Sequence, residues 1–553
     1  MSTASSPATV IPDTTPPPLP LPLEGGFKRN SMDDLSLSPK RPKTNTEHVE
    51  YFHDTPEAED AVDFAMDLLA REQQFIPQEP TLQFSVVPHR ESIGLTSNEF
   101  VGQVCATVKA RELPDGDAFA RASVDVVVAL DVSGSMRVEK LDLCKKTLCL
   151  LLRELHNEDR FGLISFSDEA RIEVPVQKVN EENKRLALHT IEHLSVRGRT
   201  NIASAISLAS QMANSVTNPN KVRSVFLLTD GNANSGFTDA KDLIELTSIF
   251  VEKGHNPHTP PITLHTFGYG PEPDQKLLMD MAKVTSGGSF YCVRDNAQVA
   301  SAFGDAIGGI LSVVAQDVIL TISIPEEAAK YGAEIISVHH DKKKELPNGA
   351  FQINLGDIYA EESRDIIFEV ALMAPTKTSQ DDPSLGHALV ELSYMDTIKH
   401  CYIGPLTCTA NISRPSNNLV SWPNRYVAVQ WMRVRTAKAI SAAEELAKLG
   451  NIDEAKASLS KWMTEFNRES FEVAANEDPL IVQLGIDLKE CLEVLKDKNH
   501  NVFAENELGV RMQAHLSQRC SEPITGKRNV YRTGQKSLRA QSFKKGSGST
   551  LTR

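Results

Sequence analysis

Five oxygen-bearing side chains in this chain have the types and spacing for shared chemistry. Asp131, Ser133 and Ser135 fall in LDVSGSM (130–136), Thr200 in GRTN, and Asp230 in LLTDG. Two carboxylates and three hydroxyls are hard ligands, suited to magnesium, manganese or calcium and not to zinc or copper. In Asp-x-Ser-x-Ser, a tight turn can aim alternate side chains at one point, and Gly134 relieves crowding in that turn. Magnesium usually keeps waters, so an incomplete protein shell is expected, with a position left for an oxygen from outside. Three separate structural roles are the alternative: a helix N-cap at Ser133 or Ser135, another at Thr200, and a turn at Asp230-Gly231. Ser133 as a nucleophile would need a general base in reach and lacks the Gly-x-Ser-x-Gly setting.

The elements around these residues must bring them together. VDVVVALD reads as a buried strand, 137–156 as a helix with Leu141, Cys144, Leu148, Leu151 and Leu152 inward, and RFGLISFS (160–167) and ARIEVPV as strands. Thr200 opens the helix NIASAISLASQMA. VRSVFLLTD (222–230), ITLHTFGYG (262–270) and GSFYCV are further strands, and a helix at 296–315 closes the unit. This βαβ rhythm predicts an α/β, doubly wound, Rossmann-like parallel sheet over 123–315. Ligands of such sheets bind at the carboxyl ends of strands near a topological switch point, where all three polar clusters fall.

Short alternating strands over 316–412 predict a β-sandwich. Strands in 80–115 are candidates to complete it, which would make the α/β unit an insertion. Residues 424–498 read as a helical hairpin plus one more helix. Residues 1–54 are rich in Pro, Ser and Thr and are expected to be disordered, 55–76 an acidic amphipathic helix, and 499–553 a basic, mostly disordered tail. Lys28-Arg29 and Lys40-Arg41-Pro42-Lys43 have the spacing of a bipartite nuclear-import signal.

The net charge of −15 argues against general nucleic-acid binding. Only the basic C-terminal tail offers a weak contact of that kind. No apolar run approaches the roughly 18 residues needed to span a membrane. No secretory signal is read at the N-terminus, so the eight scattered cysteines are expected to be reduced thiols of an intracellular protein, cytoplasmic, nuclear or both. No CxxC pair suggests a zinc ribbon or RING, and no phosphate-binding Gly-x-x-x-x-Gly-Lys loop is present. His255, His258 and His265 make a weak alternative metal cluster, and His339-His340 reads as strand-end surface.

DVSGSM, the TNI segment and LLTDG, in this order, resemble the von Willebrand factor type A (VWA) domain. The resemblance implies a metal-ion-dependent adhesion site. Its ligands would be Asp131, Ser133, Ser135, Thr200 and Asp230, its ion usually magnesium, and its last ligand a partner's carboxylate. In integrin-like members the last helix, here 296–315, moves with ligand state. Where the family often has a second glycine this chain has Arg199, a cation expected at the rim that would further favour an acidic group. LGDIYAEESRD (355–365) and RYVAVQW are similar to the module paired with this domain in intracellular VWA–Hint proteins and in plant RING ubiquitin ligases with a VWA domain, here without RING or Hint. The expectation is a non-catalytic interaction protein that binds an acidic side chain of a partner protein through the ion. The alternative is an adaptor or degenerate E3 component of ubiquitin-dependent turnover. A secreted adhesion protein is a third reading, against which the absent export signal speaks.

Overall fold

The computed structural model describes most of residues 80–519 and a short stretch at 530–537. Residues 1–79, 538–553 and several internal loops, 113–120, 254–259, 373–385 and 520–529 among them, lie outside it. The basic clusters at Lys28, Arg29, Lys40, Arg41 and Lys43 and the expected acidic helix therefore fall outside the described residues.

The described part opens with two antiparallel strands, β1 (Leu82–Pro88) and β2 (Phe100–Ala110). It then enters an α/β unit: β3 (Val124–Asp131), α1 (Glu139–Glu154), β4 (Arg160–Phe166), β5 (Ala170–Lys178), α2 (Glu181–His193), α3 (Ile202–Asn214), β6 (Val222–Thr229), α4 (Ala240–Ser248), β7 (Ile262–Tyr269), α5 (Gln275–Lys283), β8 (Ser289–Val293) and α6 (Asn296–Ile310). The sheet order is β5-β4-β3-β6-β7-β8, parallel except for β5. All eight residues of β3 and all eight of β6 are buried, as the centre of a sheet covered on both faces requires. Val124, Val126 and Val128 face a core with α1, α2 and α6, whereas Val127 and Ala129 face one with α3, α4 and α5.

Helices α2, α4 and α5 carry no expectation from the sequence. Each is started by a side-chain cap: Asn180 accepts from the amide of Asn183, Asp239 from that of Lys241, and Asp274 from that of Leu277. Two of them run only nine residues, so each offers little more than two turns of helical period to read.

Beyond α6 the chain forms β9 (Val313–Ser323), the short α7 (Glu326–Lys330), β10 (Glu334–Val338), β11 (Lys343–Glu345), β12 (Phe351–Tyr359), β13 (Ser363–Leu372), β14 (Gly386–Asp396) and β15 (Cys401–Asn411). One sheet has the order β1-β2-β13-β10 and the other β11-β12-β9-β14-β15. Their facing side chains, Val104, Ala106 and Phe368 against Leu320, Ile322 and Val390, share one core, so the two sheets make a sandwich. The α/β unit is thus inserted between β2 and β9, with both of its ends anchored in that sandwich.

Four helices follow: α8 (Arg425–Lys448), α9 (Ile452–Glu472), α10 (Pro479–Lys496) and α11 (Val502–Ser517). Val427 and Val434 of α8 pack on Cys105 and Ile367 of the sandwich. The fourth helix occupies sequence expected to be mostly disordered tail, and the residue after its end region explains why. Arg519 is fully enclosed. It pairs with Glu362 at 2.9 Å, donates to the carbonyls of Gly287 and Asp357, and lies over the Tyr359 ring at 4.1 Å. Charge composition could not reveal that one basic residue of this stretch closes the junction of the α/β unit and the sandwich. Burial alone would raise the Glu362 carboxyl, but Arg364 and Arg519 more than reverse that and hold it at about 2. His339, expected at the surface, turns inward to Glu369 at 2.9 Å. Among the described residues seven cysteines are free thiols, and no helix is long and apolar enough to cross a membrane.

Candidate metal centre

The strand β3 ends at Asp131, and its neighbour β6 ends one residue before Asp230. With β4 on the other side of β3, this is where the sheet changes direction of winding. After β3 the chain makes a single 3-10 turn at Gly134–Met136, and Ser133, at its cap position, makes no side-chain capping bond. Its hydroxyl instead lies 3.0 Å from that of Ser135. Helix α3 is capped by Asn201, which accepts from the amide of Ser204 at 3.1 Å. Thr200, expected to open that helix, is thereby free of the capping role.

The loops carrying these residues are tied to one another by backbone bonds. The amide of Gly134 donates to Gly198 at 3.1 Å, that of Arg197 to Val132 at 2.6 Å, and those of Asn234 and Ser235 both to Thr200 at 3.1 Å. The amide of Thr200 donates to the Asn234 side chain at 2.7 Å. Gly231, at φ +80°, makes the turn after Asp230, and its amide donates to the Thr229 hydroxyl at 3.1 Å. The five side chains of the sequence motif thus stand on three loops fastened together at one edge of the sheet.

Asp131 is fully buried. One carboxylate oxygen accepts from the Ser133 amide at 2.8 Å, the other from the Thr229 hydroxyl at 2.6 Å. Burial pushes its carboxyl up to about 6, against the lowering effect of those bonds, and the Asp230 charge adds to the rise. Asp230 is 2% exposed and has Lys140 Nζ at 3.1 Å. Of the two buried carboxylates, Asp230 has a lysine partner, whereas Asp131 accepts from neutral groups. Thr200 Oγ1 is buried, and among the described residues it has no hydrogen-bond partner. A buried hydroxyl without a partner costs about 1–3 kcal/mol. An orphaned buried hydroxyl on a loop tied to those of two buried carboxylates, with only one lysine to offset them, has the donor chemistry to fit a hard divalent cation.

Arg199 is 70% exposed, and its guanidinium is already paired with Asp168 at 3.1 Å. Gly198, at φ +62°, is forced by that pair: a Cβ there would lie 2.1 Å from the Asp168 carboxylate. Thr229, Lys140, Asp168 and Asn234 were missed by the sequence reading. Thr229 had a signal, since it sits between a buried strand and Asp230. Lys140 had one too, because a lysine in the first turn of a helix opposes the macrodipole.

Of the histidine alternative, only His265 lies among the described residues. His265 is buried, burial and the Arg519 and Lys536 charges push it down to about 3, and neither ring nitrogen has a partner among the described residues. His255 and His258 lie outside the described residues. Among the described residues no group of three or more His, Cys, Asp or Glu is arranged to hold a metal.

The sequence model of the von Willebrand factor type A domain matches residues 125–305. The chain is 27% identical over 256 residues to "E3 ubiquitin-protein ligase WAV3" of Arabidopsis thaliana, covering 46% of this chain and 32% of that protein. It is 25% identical over 268 residues to "Uncharacterized protein YfbK" of Escherichia coli (strain K12), covering 48% and 43%. The chain thus spans less than half the length of these relatives. A solved structure, "von Willebrand factor type A from Catenulispora acidiphila", superposes with a TM-score of 0.56 at 18% identity, over 81% of this chain and 98% of that one. That likeness covers more of the chain than the α/β unit alone. Residues 125–305 are a von Willebrand factor type A domain, carried within a β-sandwich and followed by C-terminal helices.

Proposed function

We propose that this chain is a non-catalytic interaction protein whose VWA domain holds a divalent cation, Mg2+ or alternatively Mn2+ or Ca2+, and through it binds an acidic side chain of a partner protein. The observation that carries the reading is the orphaned, buried Thr200 hydroxyl on a loop bonded to the one that follows Asp230. Asp131, Ser133, Ser135, Thr200 and Asp230 would hold the ion, which would supply a positive centre for the partner's carboxylate. Ser135, the exposed member of the set, marks the side from which a partner reaches it. Arg199, at the rim, would meet an acidic partner by exchanging its exposed Asp168 contact. Asp131→Ala is expected to abolish magnesium-dependent capture of partners in pull-downs while circular dichroism stays unchanged. Pull-downs that survive both that substitution and EDTA would refute the reading.

A second reading follows from the Arabidopsis relatives, several of which are named E3 ubiquitin-protein ligases. Under it the chain acts in ubiquitin-dependent turnover as an adaptor. An E2 discharge assay on the purified chain is expected to show no transfer, and transfer would make it a ligase. The proposed setting is intracellular. Imaging a fluorescent fusion, with Lys40 and Arg41 changed to alanine as control, tests nuclear import.

A further inference from the structure

Lys140 stands nine residues beyond Asp131, in the first turn of α1. That turn also carries Glu139 and Asp142, which suit the positive end of a helix, whereas a lysine there opposes it. Its placement therefore serves something other than the helix. Its stem runs across Gly270, which follows β7 at φ +104°. A Cβ on Gly270 would come within 2.9 Å of Lys140 Cε and 3.1 Å of Nζ. The glycine thus leaves a slot through which the ammonium reaches Asp230 Oδ2 at 3.1 Å. Lys140 is 29% exposed and Asp230 2%, so the pair is mostly screened from water. Asp131, in contrast, receives only neutral donors, from Thr229 and Ser133.

We infer that Lys140 is a resident counter-ion of the cation site, one that weakens the divalent ion and makes its retention depend on the partner's carboxylate. The inference rests on the reading of the site as a divalent-cation site. Charge counting gives the logic. Asp131, Asp230 and Lys140 together carry one negative charge, so a divalent ion leaves the centre at +1, and one incoming carboxylate brings it to zero. Without Lys140 the ion alone would neutralise the two aspartates, and a further carboxylate would be in excess. Like charges a few ångströms apart in a screened site repel strongly, so the lysine lowers affinity for the ion. It also offsets the Asp230 charge when no ion is bound.

The test is calorimetric titration of the full chain with Mn2+, with and without acetate as a carboxylate probe, for the wild type, Lys140→Met and Lys140→Gln. Both variants are expected to bind Mn2+ at least tenfold more tightly. Acetate is expected to tighten Mn2+ binding several-fold in the wild type and little in the variants. In EDTA both variants should melt at lower temperature than the wild type, a readout independent of the ion. Equal or weaker Mn2+ binding by both variants, with the wild type binding, would overturn the role of Lys140 and leave the metal site standing. No Mn2+ binding by any of the three would overturn the metal site and this inference with it.

Discussion

Thr200→Val separates a metal ligand from an ordinary buried threonine by the sign of its effect. Valine keeps the branched shape and removes only the hydroxyl that, among the described residues, has no partner. In the metal-free protein that hydroxyl is a cost of about 1–3 kcal/mol, so valine recovers some of it. A gain of about 1 kcal/mol raises the melting midpoint of a domain of this size by roughly 2–4 °C. With magnesium the sign reverses. At a concentration a hundredfold above Kd, binding to the native state stabilises the wild type by about 2.7 kcal/mol, and a tenfold weaker Kd cuts this to about 1.4 kcal/mol. Differential scanning calorimetry in EDTA and in magnesium should therefore show the variant melting higher than the wild type without the ion and gaining about half as much with it. A variant that melts lower in EDTA yet keeps the full magnesium increment would refute the argument, because the hydroxyl would then be a structural group and not a ligand.

Arg519→Met should lower stability by about 3–5 kcal/mol in urea unfolding, since it leaves the buried Glu362 without one of its two cations and strips two carbonyls of a donor. Gly198→Ala should lower the melting midpoint by several degrees, because a Cβ would collide with Asp168 and strain a positive φ. Asp168→Ala should cost under about 1 kcal/mol, as its pair with Arg199 is exposed. The carboxyl of Glu362 sits at about 2, below its ordinary value near 4.5. Its contribution is therefore present above pH ~4.5 and lost as pH falls toward ~2. Acid unfolding of Glu362→Gln should be flatter than wild type across that window, and parallel curves would show that folding does not lower the Glu362 pKa.

The centre of the candidate site was legible because its residues are read from strand ends. A fully apolar strand such as VDVVVALD must be buried on both faces, and the residues just past its last position must surface at the sheet edge. Asp131 and Asp230 therefore revealed themselves by position as well as by type. The charge environment was not legible. Lys140 reaches Asp230 from a helix on the far side of a turn, and Asp168 reaches Arg199 from the loop after β4, neither within local sequence range. The Arg199 rim expectation missed its partner for that reason. The insertion was inferred from alternating strands on either side of the α/β unit, and the register that pairs β2 with β13 accounts for that pattern. The fourth C-terminal helix was hidden by composition: a basic stretch reads as solvated until one of its arginines is seen enclosed.

The insertion has a consequence for how the chain is made. Lys109 of β2 lies opposite Ser363 of β13, so the first strands leave the ribosome long before their partner exists. At about 5–20 residues per second the wait is on the order of tens of seconds. During that wait the α/β unit, whose pairings are internal, can close first. In closing, it brings the ends of β2 and β9 near each other and shortens the effective loop over which the sandwich must assemble. Arg519 and Lys536, which both lie over the Tyr359 ring, arrive after both parts have been made. A nascent chain can therefore complete the loops that carry Asp131, Thr200 and Asp230 before their mount is fixed.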